Sequence, residues 1–168
     1  MILAFTVYGV AEAKGSMRAR TFRTVTGKTV ATVTDSNRSV ATWQRLVQAG
    51  ANAALGALPP ADRAVLTGPV RLTVGFYMPR PQKYAKRGVP VAMLTAPDWD
   101  KLARAVCDAL TAVVYRDDKQ IVEAVIGKFY AAVDDVPHVD IRVETTAGVV
   151  PTRIAPAPEP LPLFEAMR

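Results

Sequence analysis

The chain has 168 residues, half of them apolar, and 21 Lys or Arg against 15 Asp or Glu give a net charge of +6. That length supports one domain with a real core plus a tail, and no apolar run approaches the roughly 18–20 residues needed to cross a bilayer. A single cysteine, Cys107, excludes an internal disulfide framework, a single histidine, His138, argues against zinc, and the start MILAFTVYGVAEAKG lacks the marks of a signal peptide, so a cytoplasmic protein with carboxylate chemistry is expected.

In chain order, residues 2–8 alternate and are rich in β-formers, which predicts a strand. GVAEAKGSMRAR, 9–20, reads as a loop of small and basic residues with Lys14, Arg18 and Arg20. Thr and Val on both sides of Thr26-Gly27 predict a β-hairpin. Asp35, Ser36 and Asn37 are candidate caps for a helix over 39–58, whose Trp43, Leu46, Val47 and Leu55 share a face and which Pro59-Pro60 stops. Residues 69–78 read as a strand ended by Pro79. PRPQKYAKRGVPVAMLTAP, with four prolines and the bases Arg80, Lys83, Lys86 and Arg87, reads as one long functional loop.

Helical spacing then runs from Asp98 to Val114. Trp99, Leu102, Ala103, Val106, Leu110 and Val113 fall on one face, and Asp100, Arg104, Asp108 and Thr111 on another. IVEAVIGKFYAAV and HVDIRVET predict two further strands, and 149–168 reads as a Pro- and Ala-rich extended tail. The sum is an α+β domain over 1–148, a mixed sheet of about five strands with two main helices on one face.

Charge is distributed unevenly. Residues 1–90 hold 13 Lys or Arg against Glu12, Asp35 and Asp62. Such a body suits a polyanionic partner, because Lys and Arg neutralise phosphates and release counterions; the blander reading is a basic surface that aids solubility. Against this background TAPDWDKLARAVCDALTAVVYRDDKQI concentrates five aspartates. Asp98 stands where a helix cap belongs, which accounts for Asp98 but not for Asp100. Two carboxylates one residue apart at a helix mouth can converge on a hard cation such as Mg²⁺. A third acidic cluster, Asp117-Asp118, follows one helix length later. Arg104, four residues after Asp100, has the spacing of an ordinary ion pair and equally that of a contact to a scissile phosphate. Asp108 reads as a partner of Arg104, Cys107 as a small packing residue and His138 as a strand-entry residue.

The strings PDWDKLARAVCDAL and VVYRDDKQI resemble the RusA family of Holliday junction resolvases. The match lies at Pro97, Asp98, Asp100, Leu102, Asp108, Ala109, Leu110, Asp117, Asp118 and Gln120, and looser similarity runs over about residues 1–146. The resemblance implies a dimeric, Mg²⁺-dependent endonuclease, with Mn²⁺ as an alternative ion, that nicks a four-way DNA junction symmetrically and leaves 5′-phosphates and 3′-hydroxyls. It implies Asp98, Asp100 and Asp118 as the metal-binding carboxylates. Lys101 stands where the family often has Asn, and Arg104 where it often has an essential Lys. Arg keeps the charge but is a planar, permanently protonated fork, so phosphate binding suits Arg104 and the proton-donating role passes to Lys101. Lys14, Arg18, Arg20, Arg80, Lys83, Lys86 and Arg87 are the expected DNA contacts.

Two rival readings keep the same residues: a looser branched-DNA or flap nuclease, and a junction-binding dimer that no longer cuts. If Asp100 to Val113 is one straight helix, its ends lie about 20 Å apart. Carboxylates on one Mg²⁺ must lie within a few ångströms of each other, so each active site is expected to draw on two chains. In the tail, Leu161, Leu163 and Phe164 resemble short peptides that dock on bacterial sliding clamps, while the competing reading packs 160–164 on its own dimer.

Overall fold

The computed structural model describes residues 1–15, 17–23, 29–35, 37, 39–84 and 91–146. The elements are β1 (Ile2–Tyr8), β2 (Met17–Arg23), β3 (Thr29–Asp35), α1 (Val40–Ala57), β4 (Val70–Met78), β5 (Val91–Ala92), α2 (Trp99–Leu110), β6 (Ile121–Tyr130) and β7 (His138–Thr145). Five strands form one sheet in the order β1-β7-β4-β6-β5, and β2 and β3 form a separate antiparallel hairpin. The sheet is mixed, because β4 and β6 run parallel while the other neighbours are antiparallel. Parallel neighbours need a crossover connection, and α2 lies within it.

Alternation decides which face is covered. Val70, Leu72, Val74, Phe76 and Met78 of β4 are buried and the residues between them are not. With Leu3 and Val7 of β1 and Val139, Ile141 and Val143 of β7, they form one core with Val40, Trp43, Val47, Ala51 and Leu55 of α1 and Leu102, Val106 and Leu110 of α2. A Cβ on Gly50 would stand 3.1 Å from the Phe5 ring, so the glycine lets α1 lie close to β1. Among the described residues, no helix covers the other sheet face. It carries a concavity of about 600 Å³ over Gly75 and Gly127.

Several expectations need correction. Leu46 is 48% exposed; the stripe on α1 runs through Trp43, Val47, Ala51 and Leu55. Met17 already belongs to β2, so Arg18 and Arg20 lie on a strand opposite Thr34 and Thr32, not in a loop. Asp35 ends β3, Ser39 occupies the cap position of α1, and Asn37 accepts from the Ser39 N–H at 3.0 Å. The stretch 79–97 includes a 3-10 turn, Gln82–Tyr84, and the short strand β5. The second helix stops at Leu110 rather than Val114: Thr111 is extended, Ala112 takes a φ of 62°, and Tyr115 turns back into the core. Trp99 is 58% exposed because it begins the helix, ahead of the apolar stripe that starts at Leu102. The turn at Thr26-Gly27, Lys86, Arg87 and the tail 149–168 lie outside the described residues. Among those described, no helix is long and apolar enough to cross a membrane.

Candidate active site

α2 is the spine of the site, and its first turn is prepared from both sides. The Ala96–Pro97 peptide bond is cis. Lys128, on the helix side of β6, reaches across and donates to the carbonyls of Thr95 and Pro97, each at 2.7 Å. Asp98 sits at the cap position with extended backbone, yet its side chain makes no cap hydrogen bond. Its carboxylate is instead 3.1 Å from Lys101 Nζ and largely exposed. Asp100, also exposed, has no hydrogen-bond or ion-pair partner among the described residues. The capping role proposed for Asp98 therefore falls to its backbone alone, since the Leu102 N–H donates to the Asp98 carbonyl at 3.2 Å.

The second acidic cluster divides its labour. Asp117 accepts from the Lys119 N–H at 3.1 Å while the Gln120 side chain accepts from the Asp117 N–H at 2.9 Å, a reciprocal cap on the 3-10 turn Asp118–Gln120. Gln120 Nε2 also donates to the carbonyls of Leu66 and Gly68, fixing the turn beneath the start of β4. Lys119, 2.9 Å from Asp117, holds that carboxyl below its usual range. Asp117 is thus a structural group, and Asp118 is the exposed acid of the pair.

Asp118 lies towards the C-terminal half of α2, close enough to Cys107 and Tyr115 to be felt there. Burial first, then the charges of Asp118 and Asp108, push the Cys107 thiol up to about 11. Burial is also the main cause of the rise at Tyr115, whose hydroxyl donates to the Cys107 carbonyl at 3.0 Å. Asp98 begins α2 and Leu110 ends it, a rise of about 18 Å. Among the described residues no group of three or more His, Cys, Asp or Glu side chains is placed to hold a metal ion. Asp98 and Asp100 stand at the mouth of α2, and among the described residues Asp118 does not join them in a group of three.

The basic residues separate in the same way. Arg104 is exposed on α2 and makes no ion pair among the described residues. Asp108, read as its partner, pairs with Lys14. The reason is the path of the chain after β1: the Lys14 N–H donates to the Lys101 carbonyl at 3.1 Å, and Asn37 ties Glu12 and Ala13 to the start of α1, each at 2.9 Å. The β2–β3 hairpin therefore springs from a root fastened along α2, beside Lys101 and Asp108. Arg80 donates to the carbonyls of Ala131 and Tyr84, and Lys83 lies 5.0 Å over the Tyr84 ring. His138 opens β7 and stacks on Tyr77 at 4.4 Å, on the face away from α2.

Sequence reasoning passed over Lys128. Its signal was a lone ammonium in the apolar run IVEAVIGKFY, at a position whose neighbours by alternation, Ile126 and Tyr130, face the helices. The concavity on the open face holds apolar groups, threonines, Asp140 and Arg142, far from the α2 acids, so the site is an exposed surface and not a pocket.

A family model described as Endodeoxyribonuclease RusA matches residues 12–144. YqaN of Bacillus subtilis (strain 168), an uncharacterized protein, is 33% identical over 92 residues, which cover 50% of this chain and 63% of YqaN; the match spans less than two thirds of that relative's length.

Proposed function

The chain belongs to the RusA endodeoxyribonuclease family, and from that premise we propose that it cuts branched DNA as a divalent-metal-dependent homodimer, resolving four-way junctions by paired symmetric nicks. The observation that carries this reading is the exposed carboxylate pair at the mouth of α2, with the Asp98 side chain making no cap hydrogen bond and Asp100 without a partner among the described residues. Oxygen ligands that are few, acidic and open to solvent suit Mg²⁺ or Mn²⁺, which keep several waters and share their sites with substrate phosphate. Asp98 and Asp100 would hold the ion with Asp118 of a second subunit. When bound, it supplies Lewis acidity and offsets charge on the scissile phosphate.

The chain's own bases do the rest. Arg104, one turn beyond Asp100 and without an ion pair among the described residues, binds the phosphate with a charge that does not titrate. Lys101 Nζ, already beside Asp98, carries the proton that can pass to the leaving oxygen. The hairpin bases Arg18 and Arg20 and the bases at 80–87 guide the DNA arms towards α2.

A labelled mobile four-way junction with Mg²⁺ tests the reading. Paired nicks at symmetric positions are the expected result. Single nicks on several branched substrates would assign a looser flap-type nuclease, and a gel shift without cutting would assign a junction-binding dimer in which Arg104 fails to replace the family lysine.

A further inference from the structure

The sheet face away from the helices is ordered in rows. Tyr8, His138, Tyr77 and Phe129 are register partners on β1, β7, β4 and β6. Their rings stand side by side, with centroids 4.4 Å apart for Tyr77 and His138, 5.6 Å for Tyr77 and Phe129 and 6.1 Å for Tyr8 and His138. Four strands spaced about 4.8 Å apart make the row about 15 Å long. The row beside it, Thr6, Asp140, Gly75 and Gly127, floors the concavity of about 600 Å³, and Thr73 and Val125 stand on its far bank. A Cβ at Gly75 would stand 3.1 Å from the Tyr77 ring, and one at Gly127 would collide with the Phe129 ring, so the two glycines let these rings lean over the floor. The result is a trough that crosses the strands, with aromatic rings along one bank.

Charge and hydrogen bonding decide what can lie there. The face carries Glu123, Asp140 and Glu144 against Arg71 and Arg142, and each arginine is already paired, with Glu123 and Glu144, at 2.7 Å. A surface with more acids than bases does not suit a phosphate chain. The sheet's own backbone groups are engaged in its ladders, so a covering segment finds side chains and few acceptors for its N–H groups.

We propose that the chain's own proline-rich tail lies in this trough. Pro156, Pro158, Pro160 and Pro162 alternate, so every second residue lacks an N–H, and Glu159 is the single charge between Ile154 and Phe164. Proline-rich segments in the polyproline II conformation dock on aromatic-lined grooves, and at about 3.1 Å per residue five of them match the 15 Å row. The path is long enough. The Thr146 N–H donates to the Pro69 carbonyl at 3.1 Å, which fixes where the last described residue leaves the sheet. From there back along β7 to Asp140 is about 20 Å at roughly 3.3 Å per residue. Residues 147–155 span about 30 Å when extended. The inference is independent of the chemistry at α2.

Amide NMR on the full chain tests it. Pro158→Ser/Pro160→Ser/Pro162→Ser keeps the length and charge of the tail. It should move the Gly75 and Gly127 signals from their wild-type positions and leave that of Gly50, between α1 and β1, in place. A synthetic peptide of residues 154–165 added to this variant should return both signals to their wild-type positions. In a Cys107→Ala chain, Thr73→Cys/Glu159→Cys should form a disulfide on mild oxidation that keeps the monomer mass on a denaturing gel without reductant. Arg45→Cys/Glu159→Cys, with its first thiol on α1, should not. Glycine signals that stay in place, or that the peptide fails to restore, overturn the proposal. A disulfide that joins two chains would replace it with the tail of a second copy. Signals that oligothymidylate moves and the peptide does not would give the face to single-stranded DNA instead.

Discussion

The ammonium of Lys128 lies 2.7 Å from the carbonyl oxygen of Pro97, the residue before Asp98, and 2.7 Å from that of Thr95. One β6 side chain thus sets where the first carboxylate of α2 begins. A hydrogen bond from a charged group contributes about 1.5–3 kcal/mol. Lys128→Met should lower the melting temperature and reduce the single-turnover cleavage rate at least about tenfold, as expected when 1.4 kcal/mol or more of positioning is lost. DNA affinity should stay within a factor of about two, and Lys128→Arg should recover part of the rate. An unchanged rate in Lys128→Met would show that the segment is held by other contacts.

Asp117 and Asp118 are neighbours with different work, so the same substitution should give opposite signatures. Asp117→Ala removes a reciprocal cap and should lower the urea midpoint of unfolding, with cleavage largely retained. Asp118→Asn should leave the unfolding midpoint within error and abolish cleavage. The two results reversed would assign Asp117 to the metal site.

Because Asp98 starts α2 and Asp118 lies towards its C-terminal half, complementation between chains is the direct measure of a shared site. Asp98→Asn/Asp100→Asn protein and Asp118→Asn protein should each be inactive alone. Asp98→Asn should bind a junction as tightly as the wild type or more so, since a charge facing phosphate is gone. A purified heterodimer of the two mutants holds one intact site and should nick a single strand. Heterodimers that never nick would place all three acids in one chain.

Cys107 gives the structure a pH signature. Its thiol is pushed from an ordinary 9.0 to about 11 by burial and then by Asp118 and Asp108. Folding favours the protonated form, so this contribution is fully present below about pH 9 and is lost as pH rises through about 11. Unfolding free energy should therefore fall across that window, and Cys107→Ala should flatten the fall. Tyr115, also raised, acts with the same sign and leaves a residual slope. Equal slopes in wild type and Cys107→Ala would remove the thiol from the account.

The strands were legible for two reasons: β1 alternates, and β4, β6 and β7 are runs of apolar and β-branched residues whose limits agree with the reading to within a few residues. The acids of α2 were legible because they break local rules, with two carboxylates where one cap suffices. Partners set by chain path were not. Nothing in the spacing shows that Lys14, almost a hundred positions away, displaces Arg104 at Asp108, since that depends on how the loop after β1 lies against the helix. The end of α2 was hidden too. Ala112 is a good helix former, and it adopts a φ of 62° because Tyr115 gains more by burial than the helix gains by another turn.

The strand order carries a kinetic consequence. β7, the last strand, lies between β1 and β4, so the first strand has no neighbour in the sheet until the last has arrived: Ile2 faces Glu144 and Tyr8 faces His138. The most distant contacts in the chain are therefore also the ones that close the core, and closure entropy is spent long before it is recovered. Refolding followed by stopped-flow fluorescence should proceed on the millisecond-to-second scale of sheet-rich, high-contact-order domains, and a chain ending before His138 should acquire no protected core. Microsecond refolding, or a folded truncation, would show that β4, β6 and the helices suffice without the terminal strands.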